Sequence, residues 1–152
     1  LALLSLTLGS AWASLPAPEF ETYPVHQIYI GKVAPLRLTT ERQKFFADAL
    51  NTASLGPANF SGHYRIVHLA CGDNCHQVAI IDLRSGDVSI PSFTLTNSAG
   101  GEMSSRKVME YRPDSELLIL YGSLGHGTLG SASGGLTHYF RWDGRTLQAL
   151  SR

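Results

Sequence analysis

Tyr64-Arg-Ile-Val-His-Leu-Ala-Cys-Gly-Asp-Asn-Cys-His-Gln-Val-Ala-Ile-Ile-Asp-Leu83 is the stretch that decides the fold. Tyr64 to Ala70 and Gln77 to Leu83 are rich in Ile, Val and Tyr, whose branched or aromatic side chains suit a pleated, half-buried surface. Between them Gly72, Asp73 and Asn74 are turn formers. The stretch therefore predicts a β-hairpin with Cys71 and Cys75 at its tip. In an oxidising compartment two cysteines this close usually pair, so a structural disulfide is expected. Two rivals are weighed against it. A redox site uses Cys-x-x-Cys beside a helix, and neither condition is met. A zinc site needs two more ligands. His63, His68 and His76 lie near in sequence, but without His-x-x-x-His spacing. The expectation is a disulfide and no metal or other cofactor.

Downstream the same phrasing repeats. Ser85-Gly86-Asp87 turns the chain into Val88–Ile90, stopped by Pro91. Val108–Tyr111 and Leu117–Tyr121 flank Pro113-Asp114-Ser115, and Thr137–Trp142 and Thr146–Leu150 flank Asp143-Gly144. Short strands separated by turn residues predict a mainly β, antiparallel meander of twisted sheets. The chain is too short for a closed propeller. An open sheet, or two packed sheets with a helix on one face or edge, fits better.

Upstream, Val25–Ile30 reads as a first strand. Thr40 with Gln43 three residues on forms a capping box, and Phe45, Phe46, Ala49, Leu50 and Ala53 recur at helical spacing. Gly56-Pro57 ends that helix. Residues 1–13 read differently. Leu1–Leu8 is uncharged and apolar, and Ala11-Trp12-Ala13 has the small residues of a signal-peptidase site. The expectation is a signal remnant over 1–13, a single domain over 14–152, and a bacterial periplasmic location. No second long apolar run follows, so the mature form is expected to be soluble, with no membrane contact. Twelve basic residues balance twelve acidic ones without a basic run, so a nucleic-acid partner is not expected.

Two connections break the regularity. Thr94–Ser105 and Gly122–Gly135 are long and rich in Gly, Ser and Thr, and loops of such length are usually functional or disordered. Gly125-His-Gly-Thr-Leu-Gly130 matches a dinucleotide fingerprint by letter, but a dinucleotide site also needs a helix next. Gly130-Ser-Ala-Ser-Gly134 has Ala132 where a nucleophile elbow needs Ser. His126 and His138 have no nearby carboxylate in sequence to orient them. His63 and His68 fall at opposite strand parity and face opposite sides. Asp82, Asp87, Glu102 and Asp114 are scattered, with no acid–base pairing. The reading is therefore a non-enzymatic binding protein.

The export signal, the β-rich body around Gly62-His63-Tyr64 and Cys71-Gly-Asp-Asn-Cys75, and the loop Gly100-Gly101-Glu102-Met103-Ser104-Ser105 carry a resemblance. The chain resembles periplasmic immunity proteins that neutralise type VI secretion peptidoglycan amidases. The resemblance implies a papain-like cysteine amidase as partner, whose groove is entered by a serine-bearing loop that meets the catalytic Cys–His pair. Ser104 and Ser105 would carry that contact, with Gly100, Gly101, Glu102 and Met103 shaping the tip. Glu102 and Arg106 would face charges on the groove rim. Gly125, His126, Ser131 and Ser133 are candidates for a second contact. The alternative is a periplasmic lysozyme-type inhibitor or cell-wall-binding module. A third class is a periplasmic hydrolase or metal binder.

Overall fold

A computed structural model describes residues 14–73, 75–96, 107–125 and 137–151. The expected signal, 1–13, lies outside the described residues. The decisive stretch forms the hairpin: β1 (Tyr64–Gly72) pairs antiparallel with β2 (Cys75–Asp82), in register from Tyr64 opposite Asp82 to Ala70 opposite His76. A disulfide joins Cys71 and Cys75 at its tip.

Along its other side β2 meets two short strands. β3 (Val88–Ser89) lies beside Ile80 and Ile81, and β4 (Thr94–Thr96) beside Cys75 and His76. Pro91, which has no N–H for a ladder, falls in the gap between them. β7 (Ser123–Gly125) completes this first sheet against β4. The second sheet runs in the order β5 (Met109–Glu110), β6 (Leu117–Tyr121), β8 (Thr137–Trp142) and β9 (Leu147–Leu150), all antiparallel.

The chain leaves β6 and enters the other sheet as β7 in one step, at Gly122. Its φ is 132°, and a Cβ there would stand 2.6 Å from the Thr96 carbonyl oxygen. Only glycine fits both demands. Val25–Ile30, expected as a strand, is not one. It crosses from one sheet to the other, and its backbone N–H groups reach out at Val25, to Asp114 O, and at Tyr29, to Gly62 O. A ladder needs neighbouring strands that run alongside, and among the described residues this segment has none. Conversely, Thr94–Thr96 and Ser123–Gly125, expected as connections, are strands. A single Leu between polar or glycine neighbours carries little strand signal alone, and the pairing of these two strands with each other, and of β4 with β2, creates them.

Because strand side chains alternate, each sheet has two faces to cover. Ile66, Val78, Ile80 and Leu95 of the first sheet pack between the sheets against Leu118, Leu120, Phe140 and Trp142 of the second. Phe93 and Phe140 stack there with centroids 6.3 Å apart. The outer face of the first sheet presents Val67, Leu69, Ala79 and Ile81 to the helical region and to Val33, Leu36 and Leu38. The capping box forms: Thr40 Oγ1 accepts from Gln43 N, and Gln43 Oε1 accepts from Thr40 N. The expected single helix is two, α1 (Glu41–Phe45) and α2 (Ala47–Ser54), broken at Phe46. Gln43 explains part of this geometry, since its amide also donates to Val88 O at 2.8 Å and ties α1 to the sheet. Leu50 is fully buried, with Phe46 and Ala53 beside it, but Phe45 is 81% exposed.

Residues 14–38 form a strap around these layers. Phe20, in a 3₁₀ turn (Phe20–Thr22), covers Leu117 and Ile119 on the outer face of the second sheet. The strap then passes Gly62, where a Cβ would lie 2.7 Å from Gln27 O at a φ of 83°. It reaches the first sheet through Ala34 N to Leu83 O and Arg37 N to Gly86 O. Ser115 fastens its start. Its buried hydroxyl lies 2.9 Å from Phe20 O and 3.0 Å from Tyr23 O, and it accepts from Leu117 N. Ser115→Ala strips those buried groups of their partner, and such a loss costs about 1–3 kcal/mol. Urea unfolding is expected to show a lower midpoint with an unchanged slope.

Candidate functional site

The two ends of the sandwich differ in chemistry. At the first end Thr96, the last residue of β4, lies opposite Cys75 on one side and Ser123 on the other. Gly125 lies opposite Thr94, two residues along. In the second sheet Tyr121 lies opposite Thr137, and its N–H donates to Val108 O. The chain therefore leaves or re-enters the framework at Thr96, Lys107 and Thr137 at the end that carries the disulfide, whereas β7 starts at that end with Ser123 and runs away from it, so that the exit at Gly125 lies two residues inward.

These stems are held by specific bonds. Thr94 Oγ1 donates to Gly125 O at 3.3 Å, and Thr96 Oγ1 to Ser123 O at 3.4 Å. His138 is buried and its Nε2–H donates to Gly122 O at 2.8 Å, which fixes its tautomer. The Tyr121 hydroxyl donates to Glu110 Oε1 at 2.6 Å, and Lys107 Nζ lies 3.1 Å from Glu110 Oε2. Burial, and then the neighbouring Glu110 carboxylate, pushes the Tyr121 phenol up to about 12. The same hydrogen bond, helped by Lys107, holds the Glu110 carboxyl below its usual range.

The first end also carries a pair of imidazoles. His68 and His76 share one face of the hairpin, with Nε2 of the first 2.6 Å from Nδ1 of the second. Burial, and then the charge of His76, holds His68 below the ordinary imidazole value.

At the opposite end a surface cleft of about 460 Å3 is lined by His63, Tyr64, Arg84, Glu116, Trp142 and Asp143, among others. His63 Nε2 lies 3.6 Å from Asp82 Oδ2, and its ring packs on Tyr64 with centroids 4.1 Å apart. Burial outweighs the attraction of Asp82 and lowers the His63 pKa, so the ring is neutral at neutral pH. An imidazole beside a carboxylate is half of an acid–base relay. Among the described residues no hydroxyl or thiol hydrogen-bonds to that imidazole. The Tyr64 hydroxyl donates instead to Gly144 O at 3.4 Å. Burial raises the Tyr64 pKa, and the buried Trp142 indole N–H, close to that phenol without reaching hydrogen-bond geometry, counters this only in part.

Of the residues expected to bind a partner, Gly100, Gly101, Glu102, Met103, Ser104, Ser105, Arg106, His126, Ser131 and Ser133 lie outside the described residues. Gly125 ends β7, and Cys71 and Cys75 are bonded as expected. Sequence reading missed the His68–His76 pair, the Tyr121–Glu110 bond and the His63 cleft. The first was available from hairpin register, since a turn over Gly72–Asn74 puts residues 68 and 76 diagonally across it. Comparing His63 with His68 along one strand concealed that relation. Among the described residues no group of three or more His, Cys, Asp or Glu side chains is placed to hold a metal ion, and no helix is long and apolar enough to cross a membrane. No family model matches the chain, and comparison with curated proteins and with solved structures finds no match.

The Tyr121 shift has a testable sign. A raised pKa in the folded state favours the neutral phenol there. Its contribution to stability is complete below the ordinary value of 10.0 and is lost as pH rises toward about 12. Phenolate absorbance is expected to include one tyrosine titrating near 12. Tyr121→Phe should remove that component and bring the Glu110 carboxyl, followed by NMR, back up toward the usual carboxylate range.

Proposed function

We propose that the mature chain is a periplasmic immunity protein that binds a type VI secretion peptidoglycan cysteine amidase and occludes its substrate groove without turnover. The observation that carries this reading is the gathering of Thr96, Lys107 and Thr137 at one bonded, disulfide-closed end. A framework of this kind can offer two segments to one surface from fixed points, which lowers the ordering cost of binding. The segment 100–106 is bounded by two of those points. Its glycines lack bulk, and its adjacent Ser104 and Ser105 can each donate and accept a hydrogen bond, as a catalytic Cys–His pair requires. The resemblance in sequence supplies the amidase as the partner class.

The alternative, a lysozyme-type inhibitor or cell-wall-binding module, would draw on the cleft at the opposite end. Tyr64 and Trp142, the aromatic residues there, are only 9% and 3% exposed. They offer little ring face for a sugar to stack on, so the reading at the first end is preferred.

The test is inhibition of a purified amidase by the untagged mature chain. Replacing Ser104 and Ser105 together by Trp is expected to weaken inhibition by about 30-fold or more, the scale of a binding hot spot, with thermal unfolding unchanged. His63→Ala, at the far end, should leave inhibition intact. A wild-type chain that neither binds nor inhibits any cysteine amidase of peptidoglycan stem peptides would falsify the proposal.

A further inference from the structure

We infer that His68 and His76 form a binding site for a single divalent transition-metal ion, copper(II) or nickel(II), at the disulfide end of the hairpin. The register sets the pair up. His68 lies opposite Val78 and His76 opposite Ala70, so the two are diagonal neighbours on one sheet face. That face is the one whose other members, Ile66, Val78 and Ile80, fill the core between the sheets. At the histidines the core has run out: His68 is exposed and His76 half-buried. The ring centroids are 4.7 Å apart, and Nε2 of His68 faces Nδ1 of His76 at 2.6 Å. Among the described residues neither ring has another hydrogen-bond partner. The disulfide takes both cysteines out of the ligand set, and His63 sits at the other end of β1.

Two imidazole nitrogens that face each other across one short gap, once both are deprotonated, are the donor type that copper, nickel and zinc favour. With metal–nitrogen bonds of about 2.05 Å, two nitrogens are about 2.9 Å apart at a right angle and about 3.3 Å apart at a tetrahedral angle. Reaching either from 2.6 Å opens the pair by less than about 1 Å and turns each ring so that its lone pair points to one side of the line between the nitrogens. The coordination set singles out the metal: two imidazole nitrogens completed by water oxygens are the tetragonal N,O set of copper(II) and nickel(II). Binding also has a simple proton balance. In the free pair one ring donates its N–H to the other. With the metal bound, that ring carries its proton on the nitrogen facing away, and both inner lone pairs bind the ion. No net proton is released when both rings start neutral. The hairpin and its disulfide hold the two backbones in place, so little order remains to be imposed on binding.

The experiment uses the untagged, disulfide-intact chain titrated with copper(II) chloride, and separately nickel(II) chloride, by calorimetry, with electron paramagnetic resonance of the copper form. One equivalent is expected to bind saturably, with a spectrum of two coordinated imidazole nitrogens. His68→Asn and His76→Asn should each weaken binding by about tenfold or more, a loss of at least about 1.4 kcal/mol, and leave at most one nitrogen. His26→Asn and His63→Asn should change it by less than about twofold, as distant sites do. Should a variant fail to fold, nickel broadening of the wild-type histidine ring signals decides the matter. Broadening confined to His68 and His76 supports the site, and broadening centred on any other histidine overturns it. Absence of saturable one-to-one binding, or binding untouched by His68→Asn, also overturns it.

Discussion

Strand β2 is buried on both faces, and the rest of the architecture follows from that constraint. Gln77, Val78, Ala79, Ile80 and Ile81 are buried in succession. An antiparallel strand with one wet face would alternate between buried and exposed residues. Full burial of an aliphatic side chain is worth about 1.5–3 kcal/mol, so leaving either face of β2 uncovered would forfeit much of a small domain's stability. The second sheet covers Val78 and Ile80. The helices and the later part of the strap cover Ala79 and Ile81. The strap is thus a structural layer: it reaches both outer faces, and its fastening at Ser115 couples them.

The legible parts of the fold were those with a strong local signal. The decisive hairpin, its disulfide, the β5–β6 and β8–β9 neighbourhoods and the capping box each combine propensity with a turn or cap that acts within a few residues. The parts that misled owe their state to distant partners. Val25–Ile30 has strand composition but no parallel neighbour. Thr94–Thr96 and Ser123–Gly125 have loop composition but are paired. Phe45 belongs to an apolar helical pattern, yet the break at Phe46 and the bond from Gln43 to Val88 leave it in solvent. Each case is tertiary context overriding local preference.

The candidate site divides in the same way. Sequence reading found glycine- and serine-rich segments but could not bring their ends together, because that depends on Gly122 passing the chain between sheets. Once β7 lies beside β4, both stems of the first segment and the return of the second at Thr137 fall at one end. The cleft around His63 was illegible for a related reason. Its walls come from β1, from Trp142 and Asp143 some eighty residues later, and from the strap.

The disulfide has a place in this scheme that packing alone does not fill. Toward the tip of the hairpin burial ends: His68 and Ala70 are exposed, and the core offers β1 little there. Hydrophobic layers that hold the middle of β2 cannot hold its first residues. A cross-link closing so short a loop stabilises by about 2 kcal/mol in the chain-entropy account, comparable to one buried side chain. It acts where β2 starts and where β4, and through β4 β7, are hung from it at Cys75 and His76. A covalent tie at that point keeps the stems and the paired imidazoles in register on an end that burial leaves unsupported.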